Sequence, residues 1–439
     1  MRLPFALVVL SITIWAALLT WYSVPLGVLQ ALVSVMFIME AVSLLWFHPD
    51  MRWSPRGLFI VGWTLPFLVA QVPLDVVIFN LPEITHSGFL AFFVVSGLFY
   101  VAELLVRDTR PVRQASTLVA NYFSGTLDRA RFYAPRYFCV SIAIAALIAY
   151  AAALAHSGFV PPILREQVTD TAKEFWAIPG SATVFSLVRL FFVLAVVRWL
   201  SKRSHGMRGL DREDSFFIAF TLVLLLCMFT FGKRSIFIYS ILPVGVLVLS
   251  AFWIKARNLT LLFFAVIAFF VLNAYIRAEN FEQYWVGKDF HRLPSAFWYS
   301  LVQPVIYVRE TFGNLCSILD VSMPYRSHLY SELREIGKIV PLFGVLLAKV
   351  GNVLSLLFMF LVFVFYWIAH RLATRGLWLL IYSLISPGLV MVWTGIIVDS
   401  QSMYRLVLFL VVWAIVASQI QTKNIRDLAY DTDMKMVKG

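Results

Sequence analysis

The stretch "MRLPFALVVLSITIWAALLTWYS", Met1 to Ser23, decides how the rest of the chain is read. One basic residue ahead of a long apolar run fits either a secretion signal or a first membrane span. No convincing small-residue cleavage site follows, and a second apolar stretch begins at once, so we read it as a span. Crossing a bilayer takes roughly 20 apolar residues. Working outward on that rule gives about twelve such stretches, at 3–22, 24–47, 57–79, 87–105, 137–156, 182–199, 216–231, 235–254, 259–275, 350–369, 376–397 and 403–419. Of 439 residues, 61% are hydrophobic and 14% charged, with a mean hydropathy of +0.83. A soluble domain of that length cannot hide so much apolar surface. The expectation is an all-α, polytopic integral membrane protein of about 12 transmembrane helices. It forms a single membrane domain over 1–439, with both termini cytoplasmic.

The net charge of +12 invites a nucleic-acid partner, but its distribution does not. With the amino terminus inside, most lysines and arginines fall in the segments facing the cytoplasm. Arg52 and Arg56, the six arginines from Arg107 to Arg136, the group from Arg198 to Arg212 and the basic tail are among them. The positive-inside rule accounts for this excess, so no nucleic-acid partner is expected. The arginine-rich 106–136 loop reads as an anchor on anionic headgroups. Cys139, Cys227 and Cys316 are too scattered for a metal cluster or a disulfide framework, and no metal or other cofactor is expected. The "NLT" at Asn258 falls on the cytoplasmic side, where a glycosylation sequon has no meaning.

Two outer segments interrupt the apolar pattern. The shorter, 157–181, is expected to hold a surface helix. The longer, 276–337, is the longest connection in the chain and is rich in aromatic residues ("EQYW", "AFWYS", "SHLYSEL"). Loops beyond about 15 residues are usually functional or disordered, and this composition argues against disorder. Several cations sit on this face against the topological bias. Lys233 and Arg234 join helices seven and eight in "TFGKRSIFIYSILP" (Thr230–Pro243). Arg277 ends helix nine, Arg405 begins helix twelve, and Arg309, Arg326 and Arg334 belong to the long segment. Cations gathered near helix ends point to an anion site, and arginine's planar fork suits diphosphate. The plainer reading of each is snorkelling to outer headgroups.

Three places resemble the superfamily of O-antigen polymerases and O-antigen ligases. "GKRS" (Gly232–Ser235), opening an apolar helix, is similar to the glycine-x-arginine turn of that superfamily. Arg277 leads into one dominant outer loop between late helices. "RSHLYSELREIGKIVPLFGVLL" (Arg326–Leu347) resembles the segment that closes the loop and enters the next helix. Ligases typically place a His with ten residues between it and the Gly of that segment. Here the position is Arg326, and Arg326 to Gly337 fits the arginine-x10-glycine spacing of the polymerases. His328 lies two places late for the ligase pattern.

The resemblance covers 216–419. It implies a metal-independent glycosyltransferase, multi-pass in the bacterial inner membrane. Such an enzyme joins oligosaccharide repeat units carried on undecaprenyl diphosphate at the periplasmic face, building O-antigen or a related lipopolysaccharide-type surface polysaccharide. The implied partners are undecaprenyl-diphosphate-linked donor and acceptor, the lipid bilayer, a chain-length regulator and a flippase.

Such chemistry must hold two anionic lipids and stabilise the charge growing on the departing diphosphate. Preorganised cations can do that without a metal. Lys233, Arg234 and Arg277 are the donor-diphosphate set. Arg309 and Arg326 are candidates for the second diphosphate or for orienting sugar. A general base for the acceptor hydroxyl has to come within about 3 Å of its proton. His328 and Glu310 are the choices. Against those roles stand a surface histidine packed on Tyr330, and an ion pair of Glu310 with Arg309 or Arg334. Asp399 is read as a partner of Arg405. Trp285, Trp298 and Tyr299 either stack on sugar or form an interfacial belt. Asp75 and Arg189, within or near spans, are candidates because charge in hydrocarbon is costly. Two alternatives stay open: a ligase or other lipid-diphosphate glycosyltransferase, and a lipid-linked oligosaccharide transporter. A transporter fits twelve helices, but no internal symmetry is visible and the long outer loop suits it poorly.

Overall fold

The computed structural model describes residues 2–47, 52–72, 81–106, 136–156, 158–159, 212–230, 234–251, 296–335, 338–373 and 377–394. It also describes isolated positions between 188 and 196 and between 258 and 272. Every regular element among them is helical, with no strand. In chain order they are α1 (Arg2–Trp21), α2 (Leu26–Val42, running on through a π turn to Phe47), α3 (Pro55–Ala70) and α4 (His86–Val106). Then come α5 (Arg136–His156), α6 (Arg212–Thr230), α7 (Arg234–Ala251), α8 (Ala296–Asp320) and α9 (Met323–Glu335). The last are α10 (Leu342–Val350), α11 (Asn352–Leu372) and α12 (Leu377–Val390), which is followed by a 3-10 turn at Val392–Thr394.

Three of these stretches, Leu26–Trp46, His86–Val106 and Asn352–Leu372, are long and apolar enough to cross a membrane. Their surfaces agree with that reading. On α11 the inward side carries Ser355, Met359, Phe363 and Tyr366, while Val353, Leu357, Leu361, Phe365 and Ile368 are exposed. A water-facing helix carries its polar residues outward. An apolar stripe on the exposed side is what lipid requires, and we read the chain as a membrane protein. The apolar runs expected at 182–199 and 259–275 are described only at isolated positions, and that at 403–419 lies outside the described residues, as do the 106–136 and 157–181 connections except for a few terminal positions.

The chain divides into two compact units. The first comprises Met1–Val112, Phe252–Thr374 and Ile385–Ile397; the second comprises Arg113–Ala251, Arg375–Leu384 and Val398–Gly439. In the second, α5 packs on α6 and α6 on α7, with Phe191 stacked on Phe217 at 5.9 Å between ring centres.

The first unit is built on an aromatic column. Phe59, Trp63 and Phe67 recur every fourth residue along α3, so they share one face. Phe59 stacks on Phe99 of α4 at 4.0 Å and Phe67 stacks on Phe92 at 4.3 Å. Phe363 of α11 meets Phe59 edge-on, and Phe312 of α8 meets both Trp63 and Phe67 edge-on. All of these rings are fully buried. Offset stacks and T-shaped pairs are the arrangements that ring quadrupoles favour. The column locks α3, α4, α8 and α11 into one core.

Helix α3 is not regular. A π turn spans Ile60–Thr64, just ahead of Pro66. Proline lacks an amide hydrogen and its ring crowds the carbonyl four residues earlier, so the ladder widens there. At Gly62 the outside of that turn meets backbone: a Cβ there would come within 2.5 Å of the Leu389 carbonyl oxygen. Only glycine lets α3 approach residues 385–390 so closely.

The contacts also set the helices antiparallel. The start of α1, the end of α2, the start of α3 and the end of α4 meet at one end, where Phe5, Glu40, Arg56 and Glu103 cluster. The end of α11 joins them there, His370 packing on Trp53 at 4.6 Å. The opposite end is marked by His86 Nε2, 2.9 Å from the Val24 carbonyl, and by the Thr85 hydroxyl, which donates to Asp320 at 3.2 Å.

Within the 276–337 segment the described residues are helical: α8 is 25 residues long and α9 is 13. α8 buries Phe312 against Trp63 and Phe67 of α3, and Ile318 against Val340 and Ala348 on the side of α10. Arg309, Glu310, Ser317 and Asp320 interrupt its apolar residues, and that sets it apart from the spans.

Candidate functional site

The end of the first unit opposite the Glu40 cluster carries α8, α9 and the start of α11. Two residues, Val321 and Ser322, join α8 to α9. Arg326, in the first turn of α9, folds back across that corner and is only 9% exposed. Its Nε donates to the Val321 carbonyl at 3.0 Å and its Nη2 to the Leu319 carbonyl at 3.2 Å. Its Nη1 donates to Asn352 Oδ1 at 2.5 Å. The carbonyls at the end of α8 have no partner inside their own helix, and the guanidinium caps them. One planar fork therefore ties together the end of α8, α9 and the first residue of α11. A lysine could not reach three acceptors in these directions.

The segment leading into α10 is strapped to α8 by two further contacts. Lys338 Nζ pairs with Glu310, and Asn314 Nδ2 donates to the Ile339 carbonyl at 2.9 Å. The partner of Glu310 is thus Lys338, rather than the Arg309 or Arg334 suggested by the sequence. Arg309 instead donates from Nη1 to the Val72 carbonyl at 2.9 Å, joining α8 to the end of α3. His328 is on the open face of α9, where its Nδ1 lies 3.3 Å from Glu332 one turn on. Gly351, between α10 and α11, has a φ of 81°, a conformation that favours glycine and lets the chain reverse into α11.

Between α9 and α10 lies an open cleft of about 670 Å³. Ser327, Tyr330, Ser331, Arg334 and Glu335 line it from α9, and Ala348 and Lys349 from α10. The α9 residues recur at three- and four-residue spacing, so a single face of the helix supplies them. Lys349 Nζ sits over the Tyr330 ring, 5.8 Å from its centre. Two cations, two serine hydroxyls, an aromatic face and a carboxylate thus meet around one open space. Cations and hydroxyls can hold a phosphate or a sugar, the ring can carry a sugar face, and Glu335 can exchange a proton. Cys316 is buried nearby on α8, and burial pushes its thiol up, away from the reactive thiolate.

The structure therefore gathers Arg309, Glu310, Arg326 and His328 on α8 and α9 of one unit. Arg334, first noted as an outer cation, proves to line the cleft. Lys233 and Arg277 lie outside the described residues, as do Asp75, Trp285, Gly337, Asp399 and Arg405. Arg234 is the first residue of α7, in the second unit; Trp298 and Tyr299 lie in the first turn of α8. Arg189 is buried in the second unit. No group of three potential metal ligands occurs among the described residues.

The fold brings together residues whose roles the sequence does not mark. Arg56, which reads as a cytoplasm-facing cation, is fully buried and paired with Glu103 of α4. Glu40 of α2 is equally buried and bonded to Tyr100. The signal was present: "FIMEAVS" and "YVAELLV" each place one acid inside an apolar run, where it needs a reason. No protein-family model, curated protein or solved structure matches the chain.

Proposed function

We propose that this protein is a glycosyltransferase that polymerises oligosaccharide repeat units carried on undecaprenyl diphosphate, at the periplasmic face of a bacterial inner membrane. The observation that carries this reading is the α9–α10 cleft. It collects Arg334, Lys349, Ser327 and Ser331 within and just after the outer segment that bears the arginine-x10-glycine resemblance. In this reading Arg334 and Lys349 bind a lipid diphosphate at the cleft and Tyr330 supports a sugar ring. Glu335 joins His328 and Glu310 as a carboxylate or imidazole able to accept the acceptor hydroxyl's proton. Arg326 positions the cleft by fixing its corner, and Arg309 anchors α8 beneath it. Lys233, Arg234 and Arg277 hold the donor diphosphate. Cations fixed in advance around a developing negative charge cost no reorganisation when the bond breaks, which is why they can replace a metal.

The test is chain growth in proteoliposomes supplied with lipid-linked repeat units. Arg334→Ala and Lys349→Ala are each expected to slow elongation about 10-fold, and the double variant on the order of 100-fold. Arg257→Ala, a cation on the opposite face by charge count, is the matched control. A well-folded double variant that elongates at the control rate would remove the cleft from the mechanism. Transfer of glycan to a different lipid acceptor, without repeat addition, would identify a ligase instead. Movement of the lipid across the bilayer with no transfer would identify a transporter.

A further inference from the structure

We propose that the enclosed cluster at the other end of the first unit is a proton-binding site, with Glu40 as the group that carries the proton. Four side chains from three helices meet there: Glu40 from α2, Arg56 from α3, and Tyr100 and Glu103 from α4. Exposure is 0% for Glu40, Arg56 and Tyr100 and 6% for Glu103. Arg56 holds Glu103 through both arms, with Nε 3.2 Å from Oε2 and Nη2 on Oε1. The guanidinium also lies 4.9 Å from the centre of the Phe5 ring of α1. The Tyr100 hydroxyl donates to Glu40 Oε1.

Charge balance decides the protonation state. Among the described residues, two carboxylates and one guanidinium leave one negative charge uncompensated, and an uncompensated charge in an apolar interior is very costly. A single proton removes it. Glu103 already has its counterion, gripped by both arms of Arg56. Glu40 has a tyrosine hydroxyl as its bonded partner, so the proton falls to Glu40. Tyr100 donates to Oε1, as suits a carbonyl oxygen, and leaves Oε2 to carry the hydrogen. Oε2 is buried, and besides Tyr100 the Thr64 hydroxyl lies within reach of the carboxyl.

Further polar atoms on these helices, Arg56 Nη1, Ser43 Oγ and Ser96 Oγ, are buried without a hydrogen-bond partner, as groups that take up bound water are. The helices are irregular on either side: α2 passes into its π turn three residues after Glu40, and the π turn of α3 ends at Thr64. Such turns often mark functional positions. Among the described residues, the other charged or titratable groups on this end have contacts of their own. Arg52 donates to the Leu44 and Leu45 carbonyls at the end of α2, and His370 of α11 packs on Trp53.

Infrared difference spectroscopy of the full-length protein in lipid tests this directly. Wild type is expected to show the carbonyl stretch of a protonated carboxylic acid, shifted in heavy water, and Glu40→Gln to lose it. Glu103→Gln is the sharper variant. It leaves Arg56 with Glu40 as the only carboxyl, so Glu40 gives up its proton to pair with Arg56 and the band disappears again. Tyr100→Phe keeps every charge and removes only the hydroxyl, so the band remains but moves to higher frequency. Glu332→Gln, on the exposed face of α9, leaves it unchanged. The proposal is overturned if Glu40→Gln retains the full wild-type band. It is overturned equally if the band persists unaltered in Glu103→Gln, or, should that variant not fold, fails to move in Tyr100→Phe.

Discussion

Arg326→Ala should loosen the whole corner between α8, α9 and α11. Three part-buried acceptors, the Leu319 and Val321 carbonyls and Asn352 Oδ1, lose their donor at once. Water can take up part of that loss, since Asn352 is exposed, and at a net of about 0.5–1.5 kcal/mol per hydrogen bond the variant should lose about 2 kcal/mol. Arg326→Lys restores one contact at best and should recover less than half. The readout can be built into the protein. With Cys139 and Cys227 changed to serine, buried Cys316 becomes the single thiol, and its alkylation reports opening of α8. Labelling should become markedly faster in Arg326→Ala than in the parent. Equal rates would mean that the guanidinium does not hold the corner.

Arg234→Ala should slow polymerisation on the order of 100-fold, with little change in expression. Arg234 is the first residue of α7. A guanidinium there can donate two charge-assisted hydrogen bonds to one diphosphate. Losing one such contact to a developing diphosphate charge costs about 2–4 kcal/mol in the transition state. Arg234→Lys should rescue only in part, because a point charge cannot donate as a fork. A headgroup-snorkelling residue behaves differently: its weak contacts are replaceable, and alanine leaves the rate almost unchanged. Elongation by Arg234→Ala as fast as by Arg257→Ala would take this residue out of the donor site.

Where physics gives a single answer, sequence and structure agree closely. The apolar runs read at 3–22, 87–105 and 137–156 appear as helices at Arg2–Trp21, His86–Val106 and Arg136–His156. Bilayer thickness sets the length of such runs, so composition alone marks them. α8 was harder to see. "AFWYSLVQPVIYVRETFGNLCSILD" mixes polar and apolar residues and reads as an aromatic loop until its inward face is known. Residues Phe312, Leu315 and Ile318 lie on that face, and only the partner helices reveal what they pack against.

The site was legible in residue type more than in role. Arg326 was singled out by spacing, yet its acceptors lie on α8 and α11, and neither contact follows from the local sequence. Glu310 reads as a candidate base or as the partner of Arg309 or Arg334, and the fold pairs it with Lys338, which the chain returns to α8 only after α9. Arg56 resembled a loop cation because "HPDMRWSPRG" is locally polar. Its partner is 47 residues away, so its burial is a tertiary fact.

The most direct measurement of the proposed activity is elongation by the purified wild-type protein in proteoliposomes, with undecaprenyl-diphosphate-linked repeat units as the only substrate. No nucleotide sugar, ATP or divalent metal is supplied, and a chelator is present. The expected result is a ladder of glycans lengthening by whole repeat units, with the rate unchanged by the chelator. A correctly inserted protein that leaves the repeat units unjoined, or that joins them only when metal is restored, would contradict the proposed mechanism.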